Sequence, residues 1–575
     1  MRYILSYRNP SQHLLDIEVV IPGINSKKLV VNLPIWRPGR YEEGNFAKNI
    51  RGFEVVDAKG KPLPFKKVQS HQWEIETRGE KEVRIRYKYY CTRLDAGGCW
   101  VDEEQFYVNP IHCFIYVEGW EAKPVSVELI IPKNYTIACG LAVEKGNVIR
   151  AADYHTMVDS PILASATMQH NFYENHGIKF HIWFQGSCHP DWDRILRDFK
   201  GFTDAEIAFF GTLPAKEYHF MYQLLPYEFH HGVEHTASTV IAMGPGYLLN
   251  ERMYDDFLGI SCHELFHAWN VKTIRPMEMV PYRYSEKNYS RLGYVYEGIT
   301  TYYGNLILYR SKGFDAAQYF RTLDDRIQKH YHNYGRFNQS VGDASFDTWL
   351  DGYVDGIPHR KTNIYTEGCI VSLLLDLTIR METKDAKSLD DVMRKLYHDA
   401  CKKGYKGFSE ADLLEAVEDV AGCSYQNFFD SFVYGTKDTQ PLLEEALNYI
   451  GCDLSIEPSF HIYENYLGFK LDTDHKNAIV KIVAPNSPAE AAGLAKDDEI
   501  IAVNGWRVEH NFEPLCRTYY QKGLTLAVFS KNKLKALVLK ESKQRFYGRY
   551  SVIQNKKATK QQQLSYTRWA SGINH

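Results

Sequence analysis

The sequence predicts a multidomain α+β protein, and three observations carry that expectation. Its 575 residues exceed a single core, since domains run to about 100–200 residues, so three or four are expected. Hydrophobic periodicity changes twice: two-residue alternation at the start, helical stripes in the middle, and strand signals again after about residue 455. A hydrophobic share of 44% with 24% charged residues is that of an ordinary globular chain, so these patterns describe faces of packed elements.

Residues 1–170 form the first block. Runs such as Leu14 to Ile21, Lys81 to Tyr90 and Val125 to Ile131 alternate as half-buried strands, which predicts an all-β, sandwich-like domain. Residues 171–455 form the second, mostly helical block, with apolar stripes near 195–210, 254–272, 289–312, 314–331, 364–383 and 388–403. Residues 456–541 return to strands around a short Ala-rich helix, with Gly493 as a helix stop and Asn504-Gly505 as a tight turn. Residues 542–575 have little periodicity and read as a partly ordered extension.

Charge and composition narrow the function classes. A net charge of -3 gives no global footprint for nucleic acid or an anionic membrane. No apolar run approaches the roughly 18–20 residues that span a bilayer. The opening MRYILSYRNPSQHLLDIEVV lacks a secretory h-region, and the 11 scattered cysteines suit reduced thiols. A cytoplasmic setting is expected, with a periplasmic one open if a leader has been removed.

The chemistry concentrates in His263-Glu264-Leu265-Phe266-His267. On a helix, residues four apart share a face, so both imidazoles can reach one zinc ion while Glu264 stands beside them. With 22 histidines, such a pattern arises by chance roughly 0.05 times in a chain of this composition. Catalytic zinc usually takes three protein ligands and a water. Glu297, within the apolar helical stretch Tyr296 to Tyr303, is the candidate third ligand, since a carboxylate among apolar flanks needs a partner. In such a site the metal acidifies its water and Glu264 takes the proton.

From His263 to Tyr303, HELFHAWNVKTIRPMEMVPYRYSEKNYSRLGYVYEGITTYY resembles the glycyl aminopeptidase family, M61 zinc peptidases that carry a PDZ domain. The resemblance supports Glu297 across a gap of about thirty residues, which spacing alone does not. Leu33 to Tyr41, LPIWRPGRY, resembles the Pro-x-Trp-x-Pro-Gly-x-Tyr signature of the family's β-rich domain. Gly232-Val233-Glu234-His235 resembles its Gly-Gly-Leu-Glu-His motif, and Tyr365-Thr366-Glu367-Gly368 its Tyr-x-Lys-Gly segment.

The resemblance implies a thermolysin-like catalytic domain holding one zinc per chain. It also implies that Glu234, with Gly232 and His235, binds the substrate's free α-ammonium group, and that Tyr365 donates to the oxyanion. Two departures, His231 for the first glycine of the pair and Glu367 for the lysine, bear on the preference for amino-terminal glycine or alanine. Tyr466-Leu467-Gly468-Phe469 resembles the carboxylate-binding loop of PDZ domains, so Leu467, Gly468 and Phe469 imply a peptide ligand captured by strand addition. The expected activity is a zinc aminopeptidase releasing small residues from peptide amino termini. A PDZ-assisted zinc endopeptidase and a non-catalytic, zinc-containing peptide-binding scaffold are the alternatives, and the intact Glu264 speaks against the second.

Overall fold

Strict alternation along the strand Glu82–Tyr90 turns Val83, Ile85, Tyr87 and Tyr89 inward. It leaves Arg84, Arg86 and Lys88 to pair with Glu82, Glu18 and Asp16 on the outer face. This strand lies in a seven-stranded sheet in the spatial order Val143–Glu144, Val148–Ala151, Val125–Ile130, Arg2–Ser6, Leu14–Pro22, Glu82–Tyr90, Ile50–Asp57. A four-stranded sheet packs on it, with Phe53 of the first stacked on Trp73 of the second at a centroid separation of 4.6 Å. A further four-stranded sheet ends with Gln105–Val108 and Trp100–Val101, so the expected β-rich domain is present.

The computed structural model describes residues 1–354, 356–472, 477–540 and 542–572. It resolves into two units, the first comprising Met1–Tyr319, Ser345–Val354 and Lys387–Tyr425. The second comprises Phe320–Ala344, Asp355–Ala386 and Gln426–His575. The boundary expected at residue 541, and residues 573–575 of the expected extension, lie outside the described residues.

The middle of the chain is largely helical, but it opens with a five-stranded sheet that periodicity did not reveal. Its order is Gln169–Asn175, Ile178–Gln185, Glu217–Leu224, Ser238–Gly244, Phe229–Glu234. The three central strands are parallel, and most of their residues are buried. A strand covered on both faces reads as a continuous apolar run and loses its two-residue signature. Helices Trp192–Phe210 and Tyr254–Phe266 pack on one face, where Phe199 and Phe257 meet Phe220 and Tyr222.

One expected helix is shorter than its pattern. The stripe through residue 272 ends as regular helix at Phe266, with His267 at the C-cap. Beyond it the amides of Lys272 and Ile274 reach back five residues, to the carbonyls of His267 and Trp269. This wider winding carries the chain into Pro276, which cannot continue a helix.

In the second unit, residues 469–539 form the sheet Phe469–Leu471, Ala478–Val483, Glu499–Val503, Leu524–Ser530, Lys533–Leu539. Asn504 and Gly505 both adopt positive φ, 48° and 82°, in the two-residue turn joining Val503 to Trp506. The terminal residues are more ordered than their composition predicts. The strand Arg549–Gln554 pairs with Cys452–Glu457, and the helix Lys560–Ser571 starts in a Thr559–Gln562 capping box. Its Trp569 is fully buried and its Ser565 donates to Asp385 Oδ2 at 2.6 Å. Among the described residues, no helix is long and apolar enough to cross a membrane.

Replacing Trp569 by Ala is expected to destabilise the second unit by about 3–5 kcal/mol, because it empties a filled core position. Chemical denaturation of the variant beside the parent chain checks this.

Candidate active site

The helix Tyr254–Phe266, which carries His263 and Glu264, begins with Asp255 and Asp256, whose charges suit the positive helix start. It is held against the sheet by Ser261, which shares a 2.6 Å hydrogen bond with the Tyr222 hydroxyl. Tyr218, on the same strand as Tyr222, donates to the Glu264 carbonyl at 3.4 Å. These contacts bring His263, Glu264 and His267 to the end of the helix, where all but the partly exposed His263 are buried.

Glu297 arrives from the next helical segment. Tyr294–Ile299 is a single π-helical turn running directly into Thr300–Arg310, an arrangement that recurs at functional sites. The Glu297 carboxylate lies 3.5 Å from His267 Nε2 and 4.0 Å from His263 Nε2, and the two Nε2 atoms are 3.1 Å apart. All three candidate ligand atoms fall within 4.8 Å of one another. The structure therefore gathers the two histidines and the glutamate that sequence analysis selected.

Asn270, which motif reading did not single out, fixes this arrangement. Its carbonyl accepts from His267 Nδ1 at 2.7 Å, turning Nε2 towards Glu297. Its side-chain amide donates to the Val295 carbonyl at 2.9 Å and to Thr300 Oγ1 at 3.1 Å, on the turn that carries Glu297. A single asparagine three residues past a histidine has no signature that would have exposed this role.

Glu234 ends the edge strand Phe229–Glu234 and is buried beside the same group. Its carboxylate, Glu264 and His267 also have ligand atoms within 4.8 Å of one another. Two glycines make the room. A Cβ on Gly232 would stand 2.2 Å from Glu264 Oε1, and one on Gly39, at φ 79°, would stand 2.4 Å from Glu234 Oε2. Thus the Pro38-Gly39 turn of the amino-terminal domain closes over Glu234, which the sequence had connected only as a family signature.

His235 and Thr236 continue that strand end and are clamped by Asp159. The Asp159 carboxylate accepts from Lys272 Nζ at 2.7 Å and from the Thr236 amide and hydroxyl, and lies 3.2 Å from His235 Nδ1. A cavity of about 190 Å³ lies against this clamp, bounded by Pro38, His155, Asp159, His235, Arg275 and Tyr282.

The electrostatics follow from burial. Desolvation pushes the Glu264 carboxyl up to about 8, with Glu234 and Glu297 adding to it. Burial by itself lowers the His267 pKa, but Glu297, then Glu234 and Glu264, carry it up to about 9. Burial would also raise Glu234, yet His267 and Lys272 hold it below the ordinary glutamate range. Three buried carboxylates around two imidazoles leave surplus negative charge, and Glu264 Oε2 and Glu234 Oε1 have no hydrogen-bond partner. A divalent cation suits this donor set and charge.

Of the remaining expected residues, all but His231 lie in the second unit. Tyr365 stands at the N-cap of Thr366–Thr383 and is half-buried. Glu367, the departure from lysine, is buried with its carboxylate 2.6 Å from His330 Nδ1, and Thr362 also donates to it. His330 in turn contacts Thr439 Oγ1 at 2.7 Å, so the reversed charge sits in a local polar network. His231 is half-buried on the Glu234 strand, its pKa lowered to about 4 by burial and then by Arg37. Leu467 and Phe469 point into the core of the C-terminal sheet, and Gly468 between them adopts a left-handed conformation with φ 76°. The strand Phe469–Leu471 occupies a terminal position in that sheet.

These features define a metallopeptidase, and comparison with known proteins gives the family. The model of the peptidase M61 N-terminal domain matches residues 2–166, that of the M61 glycyl aminopeptidase residues 256–371, and that of the PDZ domain residues 459–512. Two M61 peptidase models and a PDZ model thus match the chain in sequence order, and together they support a metallopeptidase of the zinc aminopeptidase type. No match was found among curated proteins. Among solved structures, an aminopeptidase N family protein from Idiomarina loihiensis is similar over 99% of both chains, with a TM-score of 0.90 and 23% identity, which shows a common fold. An M1 zinc metallopeptidase from Deinococcus radiodurans covers 76% of this chain and 94% of its own, with a TM-score of 0.46 and 12% identity.

Replacing Asp159 by Asn strands the buried Lys272 ammonium and is expected to cost about 3–5 kcal/mol. Burial alone would raise the Asp159 pKa, but Lys272 and His235 depress it far below the carboxylate range. A depressed folded-state value contributes stability that is complete above about pH 4 and declines as pH falls below it. Denaturant midpoints measured from pH 7 down to pH 3 should therefore converge for the two proteins as the pH drops.

Proposed function

We propose that the chain is an aminopeptidase that releases small residues, glycine or alanine, from peptide amino termini, using one zinc ion held by His263, His267 and Glu297. The observation that carries the aminopeptidase reading is Glu234, a buried carboxylate with an unpartnered oxygen beside His267 and Glu264. A free α-ammonium group would meet that oxygen in a charge-assisted hydrogen bond, whereas an internal peptide bond brings no charge to it.

When bound, zinc supplies Lewis-acid polarisation of the scissile carbonyl and acidifies the attacking water. Glu264 accepts the proton from that water on its carboxylate and returns it to the leaving amine nitrogen. His267 stays oriented through Asn270, so its Nε2 faces the ligand position. By resemblance, Tyr365 donates its hydroxyl hydrogen to the developing oxyanion. Gly232 and His235 flank Glu234 in the pocket for the amino terminus. In the C-terminal domain, Leu467, Gly468 and Phe469 form the loop for a peptide carboxylate, with the terminal strand Phe469–Leu471 available for strand addition.

Glu264→Gln is expected to keep zinc and lose about 10²–10⁴-fold in kcat, the range for removing a general base. Metal analysis beside steady-state hydrolysis of alanyl and glycyl peptides decides it, and full turnover with metal retained rejects the mechanism. Glu234→Ala should raise KM for free amino termini and leave the weak cleavage of acetylated peptides unchanged. Equal losses on both substrates would remove the recognition role, and efficient cleavage of acetylated peptides by the parent chain would favour the endopeptidase reading.

A further inference from the structure

The net charge of -3 conceals a segregation of charge along the chain. From Lys522 to His575 the sequence holds twelve lysines and arginines and one acidic residue, Glu541, so the residues before it are strongly acidic. Within this basic segment the strands Leu524–Ser530 and Lys533–Leu539 form a hairpin at one side of the C-terminal sheet, with Lys533–Leu539 as the terminal strand.

Alternation sorts the hairpin's side chains into two faces. Leu524, Leu526, Val528, Leu537 and Leu539 enter the core. The register pairs the others as Thr525 with Val538, Ala527 with Ala536 and Phe529 with Leu534. This opposite face carries no charge, and its large apolar side chains meet solvent: Phe529 is 40% exposed, Leu534 63% and Val538 63%. An antiparallel sheet with one wet face ordinarily presents polar side chains there, so contiguous aliphatic and aromatic groups mark a surface that something covers.

Lysines frame that face. Lys531 and Asn532, both at positive φ, form the two-residue turn, and Lys533 and Lys535 follow it. Lys522 and Lys540 stand at the other end, beside the Leu524–Leu539 pair. All five are exposed, and none forms an ion pair among the described residues. Long lysine stems lie readily along an apolar layer while their ammonium groups reach polar headgroups.

We propose that this hairpin docks the protein on a membrane surface rich in anionic phospholipid, with Phe529, Leu534 and Val538 entering the headgroup boundary and the lysines facing the phosphates. Charge complementarity selects a polyanionic surface, and the exposed aliphatic side chains select lipid among such surfaces. Nucleic acid is held by aromatic and arginine planes that stack on bases, and this face offers a single phenylalanine. A second copy would bring like-charged lysines together along an edge strand, which opposes pairing.

The docking surface lies in the second unit and does not depend on the proposed catalysis. Flotation of the full-length chain with vesicles of phosphatidylcholine alone, and of phosphatidylcholine with about 30% phosphatidylserine, tests it. The chain should float with the anionic vesicles and not with the neutral ones, and about 1 M salt should release it. Lys531→Glu/Lys533→Glu/Lys535→Glu should weaken binding at least about tenfold, since one lysine near such a surface is worth about fivefold. Leu534→Ser/Val538→Ser should also weaken it, while leaving its salt dependence unchanged. All five substitutions fall on exposed side chains, and circular dichroism of both variants checks that the fold is kept. Equal binding to neutral and anionic vesicles, or unchanged binding by either variant, overturns the proposal. So does a chain that ignores vesicles yet binds duplex DNA or self-associates through this face.

Discussion

The crowding of buried charge around His267 is the constraint on which the rest of the site depends. Glu234, Glu264 and Glu297 each pay a desolvation penalty, and His267 is the cation they share while no metal is bound. At close range in a water-poor pocket, such charges interact far more strongly than at a surface. When bound as proposed, a zinc ion would supply that neutralising charge, leaving Glu264 to accept and return a proton.

Holding like charges together requires rigidity, and the chain supplies it through backbone and buried polar groups. Asn270 binds the turn after His267 to the π-helical turn of Glu297, so the two ligands from separate segments share one mount. Gly232 and Gly39 leave no side chain where Glu264 and Glu234 must stand. Asp159 holds His235 and Thr236, which follow Glu234, and pairs with Lys272, linking the amino-terminal domain to the segment after His267. These are constraints on position, and they act on groups whose chemistry a motif already announces.

That division explains what was legible in the sequence. The HExxH spacing is local, so His263 and His267 could be read from helical geometry alone. Strands with one wet face, such as Glu82–Tyr90, announced themselves by alternation. Ser238–Gly244 did not, because both its faces are covered and its apolar run carries no period. Asn270, Gly39 and Asp159 act through contacts distant in sequence, up to 195 residues for Gly39 and Glu234. Composition had likewise undervalued the terminal segment, whose order rests on a strand pairing, a capping box and one buried tryptophan.

On the proposed function, selectivity for an amino terminus would follow from the same electrostatics. Glu234 is kept ionised by His267 and Lys272 despite its burial, yet one of its oxygens has no hydrogen-bond partner among the described residues. A substrate ammonium group would complete that oxygen's hydrogen bonding and cancel its charge. A blocked terminus would bury the carboxylate and leave it unpaired, which costs more than the loss of one ordinary hydrogen bond. The discrimination would therefore come from the penalty on the wrong substrate as much as from attraction to the right one. Gly39, by letting the Pro38-Gly39 turn stand directly against Glu234, would help to keep that carboxylate out of water.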